Sequence, residues 1–174
     1  NADDQIVLNF TKPELSTNYE IGVRSKYFKG TSFSSTLFLT NFDDLVINAG
    51  GGNYENAGKS RMSGLELAGR VDFGTIYNTP HNFYVTGSYT NTFTAEFKKS
   101  FTDEGINSGS RLPYAPRHIA SVNFGYQHPV GFNARIGADY VSEQKPDAWT
   151  NTLTGDDAAL SGLTGTIPSY TLVN

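Results

Sequence analysis

The chain has 174 residues, 37% of them hydrophobic, a net charge of -4 and no cysteine. With mean hydropathy -0.38 and no run of about 18 apolar residues, it holds no membrane-crossing helix. Its charge gives no electrostatic case for nucleic acid, and the absent cysteines exclude disulfides and thiolate metal sites. An aromatic share of 13% with 18 glycines points to an all-β chain.

The opening "NADDQIVLNF" lacks the basic start and apolar stretch of a signal peptide, so an exported protein is not expected to begin here. Period-2 alternation then starts in "YEIGVRSKY", where Tyr19, Ile21, Val23 and Tyr27 oppose Glu20, Gly22, Arg24 and Lys26. "STLFLTNFDDLVI" is strand-like with less cleanly separated faces. "SGLELAGRVDFG" sets Leu65, Leu67, Val71 and Phe73 against Glu66, Arg70 and Asp72. "FYVTGSYTNTF" sets Phe83, Val85, Tyr89 and Phe93 against Tyr84, Thr86, Ser88 and Thr90. In "ASVNFGY", Ala120, Val122, Phe124 and Tyr126 share a face; in "FNARIGADY", Phe132, Ala134, Ile136, Ala138 and Tyr140 do, opposite Arg135 and Asp139. The closing "IPSYTLVN" reads as a strand that begins and is cut off. No segment sustains a helical period. All 7 prolines lie outside these strand cores, as ladder-bonded strands require.

The connections sort by length. "FKGTSF", "GTIYNTPHN" and "HPVG" are short; "NAGGGNYENAG", Lys98 to Arg117, and Glu143 to Ser169 are long and polar. Short and long alternate strictly, which places tight turns at one end of the sheet and long loops at the other. Outer-membrane barrels have this pattern, and Greek-key sandwiches have no reason to adopt it.

Alternation alone leaves two architectures open. A soluble β-sandwich, acting as a binding or adhesion module, would bury Leu65, Leu67 and Ile136. A transmembrane barrel would turn them to lipid, with Glu20, Arg24, Lys26, Glu66, Arg70, Asp72, Arg135 and Asp139 lining a watery lumen. The aromatics favour the barrel. Tyr19, Tyr27, Phe73, Phe83, Phe93, Tyr126, Phe132 and Tyr140 gather towards strand ends, with small or aliphatic residues between, as in interfacial girdles.

No catalytic constellation stands out, so no enzyme activity, cofactor or metal site is expected. His81, His118 and His128 lie near turns without metal-ligand spacing. "NAGGGN" lacks the helix or Lys-Ser/Thr pair of a phosphate cradle and reads as a flexible loop. The acids of "DDLVIN" and "TGDD" read as solvated turn residues, and "NFT" at Asn9 as a chance glycosylation match.

Four blocks, "KPELSTNYEIGVR", "YENAGKSRMSGLEL", "RLPYAPRHIASVNFGYQHPVGF" and "IPSYTLVN", resemble the barrel of TonB-dependent outer-membrane receptors of the siderophore and ferric-citrate type. The resemblance covers nearly the whole chain. It implies an all-β, antiparallel, up-and-down transmembrane β-barrel segment: residues 1–174 would be about 7–8 strands of a roughly 22-stranded barrel, truncated at both ends and without its plug domain. An open, curved sheet is then expected, rather than closure as a barrel of about eight strands. The implied setting is a Gram-negative outer membrane. The implied partners are the lipid bilayer, a ferric chelate, and the TonB–ExbB–ExbD complex acting through the missing plug. The fragment alone would not transport.

Ferric-siderophore ligands are often anionic, and arginine pairs well with carboxylates. On the resemblance, Arg111, Tyr114 and Arg117 lie at an extracellular loop, while Arg61, Arg70 and Arg135 line the inner wall as candidate ligand contacts. The plainer reading is that Arg70 and Arg135 pair across strands with wall acids such as Glu66 and Asp139.

Overall fold

A computed structural model describes residues 11–50, 53–56, 58–100, 107–146 and 166–174. Its strands are β1 (Leu15–Ser25), β2 (Thr31–Asp43), β3 (Val46–Gly50), β4 (Asn53–Asn56), β5 (Ser60–Asp72), β6 (Asn82–Phe97), β7 (His118–Gln127), β8 (Asn133–Val141) and β9 (Tyr170–Val173), with one helical turn, α1 (Phe73–Tyr77). A 7-stranded sheet runs in the order β1-β2-β5-β6-β7-β8-β9, and β3 and β4 form a separate pair. Every pairing is antiparallel between strands adjacent along the wall. This is an up-and-down meander. Among the described residues β1 and β9 do not pair, so the sheet is open, as expected.

The register carries the alternation across every strand. Ile21 lies opposite Leu37, which lies opposite Leu65. Val71 lies opposite Val85, then Phe124, then Ile136. The apolar parities of separate strands therefore form one continuous face. No second layer covers it among the described residues: Ile21 is 73% exposed, Phe124 55% and Ile136 60%. The sandwich expectation fails here, because Ile136 stands open and Leu65 and Leu67 are only half-buried. Burying such a side chain is worth roughly 1.5–3 kcal/mol, so a face left this open suits lipid and not water.

The turns fall as the sequence implies. Residues 26–30, 73–81 and 128–132 make the short connections, and 44–59, 98–117 and 142–169 the long ones. Within the second short turn, Asp72 caps α1 by accepting from the Thr75 N–H at 3.3 Å. Asn78 ends it in the left-handed region, φ 56°. A single turn is too short to show a helical period in sequence. "NAGGGNYENAG" departs from the plain-loop expectation, since part of it pairs in the β3–β4 hairpin, with Asn48 opposite Tyr54 and Gly50 opposite Asn53. "TGDD", Asn9 and much of the last long connection lie outside the described residues.

One irregularity repositions the upper wall. In β6 the register shifts where Ser63 and Gly64 of β5 oppose Thr94 and Thr92, which leaves Phe93 as the extra residue of a bulge. Phe93 remains exposed on the apolar side. Beyond it the parity inverts, so Ala95 and Phe97 lie opposite Met62 and Ser60, on the charged face. There Ala95, Phe97, Leu112 and Ala115 form a small buried core, flanked by Leu45 and Met62.

Candidate functional site

The face opposite the apolar one is mostly polar, with Phe38, Ile119, Val141 and Leu172 as apolar exceptions. One rung runs Arg24, Ser34, Ala68, Ser88, Ser121, Asp139, Leu172. The same-face rung nearer the long loops holds Thr36, Glu66 and Thr90. The next towards the short turns holds Ser32, Arg70, Thr86, Asn123 and Gly137, and the one below it Asp72, Tyr84, Gly125 and Arg135. Glu20, Arg24, Glu66, Arg70, Asp72, Arg135 and Asp139 thus share one face. Arg24, Arg70 and Arg135 occupy three successive rungs of its short-turn half.

Their partners differ from the expected cross-strand pairs. Arg70 donates to Asp72 on its own strand at 2.9 Å, and its guanidinium stacks 4.0 Å from the Tyr84 ring centroid. Asp139 accepts instead from the Asn174 amide at 2.9 Å, and Glu20 from Asn18 at 2.6 Å. The reason is reach. Glu66 from Arg70, and Asp139 from Arg135, lie four residues along one strand, about 13 Å at the usual rise. Residues two apart on one face, as Arg70 and Asp72 are, lie about 7 Å apart. Among the described residues Arg24 and Arg135 have no acidic partner.

Glycines shape this wall. A Cβ at Gly125 would fall within the Tyr84 ring, and one at Gly64 would meet the Phe38 ring at 2.7 Å. Both aromatics lie across the bare backbone of the neighbouring strand. Tyr84 stands on the polar parity in sequence, but nothing in the alternation marks it as a platform for Arg70.

Arg61 does not line the charged wall. It lies opposite Asn41, to which its Nε donates at 2.8 Å, and it shares parity with Leu65 and Leu67. Alternation fixes its side of the sheet whatever its charge. It sits above the apolar band at the long-loop rim.

Residues 107–117 fold down onto that rim. The Leu112 N–H donates to the Ala95 carbonyl and the Phe97 N–H to Ser110, both at 2.9 Å, which ties the segment to β6. Arg111 is held inside it. Its Nε and Nη2 donate to the Ala115 carbonyl at 3.0 and 2.6 Å. Burial first, and then the neighbouring Arg117 charge, push its guanidinium below the ordinary arginine value. Arg111 is thus occupied with the fold of the loop. Arg117 is exposed, its carbonyl accepting from the Thr92 N–H at 2.8 Å. Tyr114 is 67% exposed on a left-handed backbone, φ 51°, its N–H bonded to the Lys145 carbonyl at 2.8 Å. Of the three loop candidates, two present side chains outward and one turns in.

Comparison with known proteins matches this geometry. The chain is 29% identical over 131 residues to the catecholate siderophore receptor Fiu of Escherichia coli strain K12, covering 75% of the chain and 16% of that receptor. The ferric yersiniabactin uptake receptor FyuA of Yersinia pestis superposes with a TM-score of 0.61 at 21% identity, over 92% of this chain and 21% of FyuA. A point variant of the ferric enterobactin receptor PfeA of Pseudomonas aeruginosa superposes with a TM-score of 0.63 at 18% identity, over 92% of this chain and 22% of PfeA. At those identities the two structures speak to fold alone. The chain therefore spans a sixth to a fifth of the receptors it matches. The family is one of transport receptors rather than enzymes, whose members are outer-membrane proteins of Gram-negative bacteria. A family model described as TonB dependent receptor-like, beta-barrel, matches residues 2–174, and the chain belongs to that family.

Proposed function

We propose that this chain forms part of the wall and outer rim of an outer-membrane receptor that takes up a ferric siderophore. Ferric citrate is the alternative cargo. The observation that carries the reading is the two-faced wall: one continuous apolar face open to its surroundings, backed by a face of hydroxyls, amides and arginines. In this reading the apolar face meets lipid and the charged face lines the passage. Register is then strongly held, because a one-residue slip would turn each wall arginine to lipid, at roughly 2–4 kcal/mol near the midplane.

The chemistry follows from the free cations. Arg117 and Tyr114 stand at the loop rim, where a hydrogen-bonding cation and an aromatic surface can meet an anionic, ring-bearing chelate. Arg24 and Arg135 offer positive charge further down, without an acidic partner among the described residues. Arg70 is already engaged by Asp72 and Tyr84 and acts as wall structure. Energy for transport would come from TonB, with ExbB and ExbD, acting through the plug domain of the whole receptor. The sequence relative Fiu is named a catecholate siderophore receptor, which favours that cargo over citrate.

The test is uptake of radiolabelled ferric siderophores and ferric citrate by cells whose only such receptor carries this segment. TonB-dependent accumulation of a siderophore complex is the expected result. Accumulation of neither chelate, by a receptor that migrates on gels as a heat-modifiable barrel, would contradict it.

A further inference from the structure

At the short-turn end of the apolar face, side chains from three places in the chain meet. His81 stands just before β6, Tyr126 near the end of β7, and His128 just beyond it. His81 Nδ1 lies 2.6 Å from the Tyr126 hydroxyl, with the two rings stacked. The His128 ring stands edge-on to both, 5.1 Å from His81 and 6.0 Å from Tyr126 between centroids. The Val130 N–H donates to His128 Nδ1 at 3.3 Å.

The backbone bond fixes one tautomer. A backbone N–H can only donate, so neutral His128 accepts at Nδ1 and carries its proton on Nε2. The Tyr126 hydroxyl and His81 Nδ1 share one proton between them: either the hydroxyl donates and His81 carries its proton on Nε2, or Nδ1–H donates and the hydroxyl proton points outward. In either arrangement two donors remain without a protein acceptor among the described residues: His128 Nε2–H, and either His81 Nε2–H or the Tyr126 hydroxyl. A metal ion shared by the two rings would need a lone pair on both, and neutral His128 offers none at Nε2. An anion needs donors.

The surroundings say which anion. Tyr126 lies opposite Phe83 and Ala134 on the apolar face, and its ring stacks on Phe83 at 4.6 Å. Val130 and Phe132 beside the pair are 83% and 61% exposed. The donors therefore sit where the apolar face ends and polar turns begin, which in a bilayer is the headgroup layer. We propose that His81, Tyr126 and His128 form a recognition site for the phosphate of a phospholipid in the leaflet that the short turns face. Phe83, Val130 and Phe132 lie against its glycerol and acyl chains. The site continues the lipid-facing surface, and the proposal rests on that membrane reading.

The test uses the whole receptor purified in detergent, with bound lipid counted by native mass spectrometry. The probes are phosphatidylglycerol, a diacylglycerol with the same chains, and inorganic phosphate. Phosphatidylglycerol is expected to be retained and diacylglycerol not. Retention should fall at least fivefold in the His81→Ala/His128→Ala double variant. Tyr126→Phe, which keeps the ring but loses the hydroxyl that holds His81, should give a smaller loss. Equal retention of diacylglycerol, displacement of the lipid by inorganic phosphate, or unchanged retention in the double variant would each overturn the site. Heat-modifiable migration reports separately on the barrel. A receptor that stays monomeric in water without detergent would overturn the membrane reading itself.

Discussion

Tyr84 lies across Gly125, its partner on the next strand, so closely that a β-carbon on residue 125 would fall within the ring. The same ring receives the Arg70 guanidinium at 4.0 Å. One bare backbone position thus settles where a wall cation rests.

Gly125→Ala should therefore displace Tyr84 and free Arg70. Forcing a methyl group into an occupied space costs about 1–3 kcal/mol. Gly87→Ala is the control, because a Cβ there meets only the Ser121 carbonyl at 3.5 Å, an ordinary contact. Denaturant titration of the folded receptor, followed by its shifted gel band, should show loss of stability in the first variant and little change in the second.

Phe97→Ala should open the outer rim. Phe97 is 0% exposed and anchors the core that holds residues 107–117 against β6. Removing a buried phenylalanine costs about 3–5 kcal/mol, here confined to one end of the wall. Limited proteolysis should cut within residues 107–117 of the variant while its barrel migrates normally.

Arg111 and Arg117 should separate cleanly. Arg117→Ala should weaken chelate binding several-fold without new cleavage in the loop. Arg111→Ala removes two charge-assisted bonds to the Ala115 carbonyl, which are worth about 1.5–3 kcal/mol each, and should increase cleavage as well. Equilibrium binding of labelled ferric siderophore, run beside the protease assay, distinguishes them.

Asp72 holds both the α1 cap and Arg70. Asp72→Ala should cost about 1 kcal/mol through the lost cap. Asp72→Asn keeps a capping oxygen and gives up only a partly exposed ion pair, so its effect should be smaller. The same denaturant titration ranks the two.

Much of this fold is legible in the sequence, because a strand with two environments must alternate. The parities of Ile21, Leu65, Val85, Phe124 and Ile136 already name their face, and the ladders only join them. Loop lengths are legible too, since turn and loop compositions differ. The bulge at Phe93 is not: one extra residue leaves no compositional mark, yet it carries Ala95 and Phe97 to the opposite face. Arg61 shares parity with Leu65, so position and not charge decides its side. Side-chain pairing is the least legible part. Arg70 chooses Asp72 and Tyr84 through spacing along one strand and a glycine two strands away, relations that require the register.

The most direct test places nitroxide spin labels singly at Ile136 and Arg135, adjacent residues of β8, in the receptor reconstituted into bilayers. Accessibility to oxygen, which partitions into lipid, is compared with accessibility to a water-soluble nickel chelate. A label at 136 should be reached by oxygen and one at 135 by the nickel chelate. Protection of position 136 from both reagents, as in a dry core, or a reversal of the two, would contradict the two-faced wall.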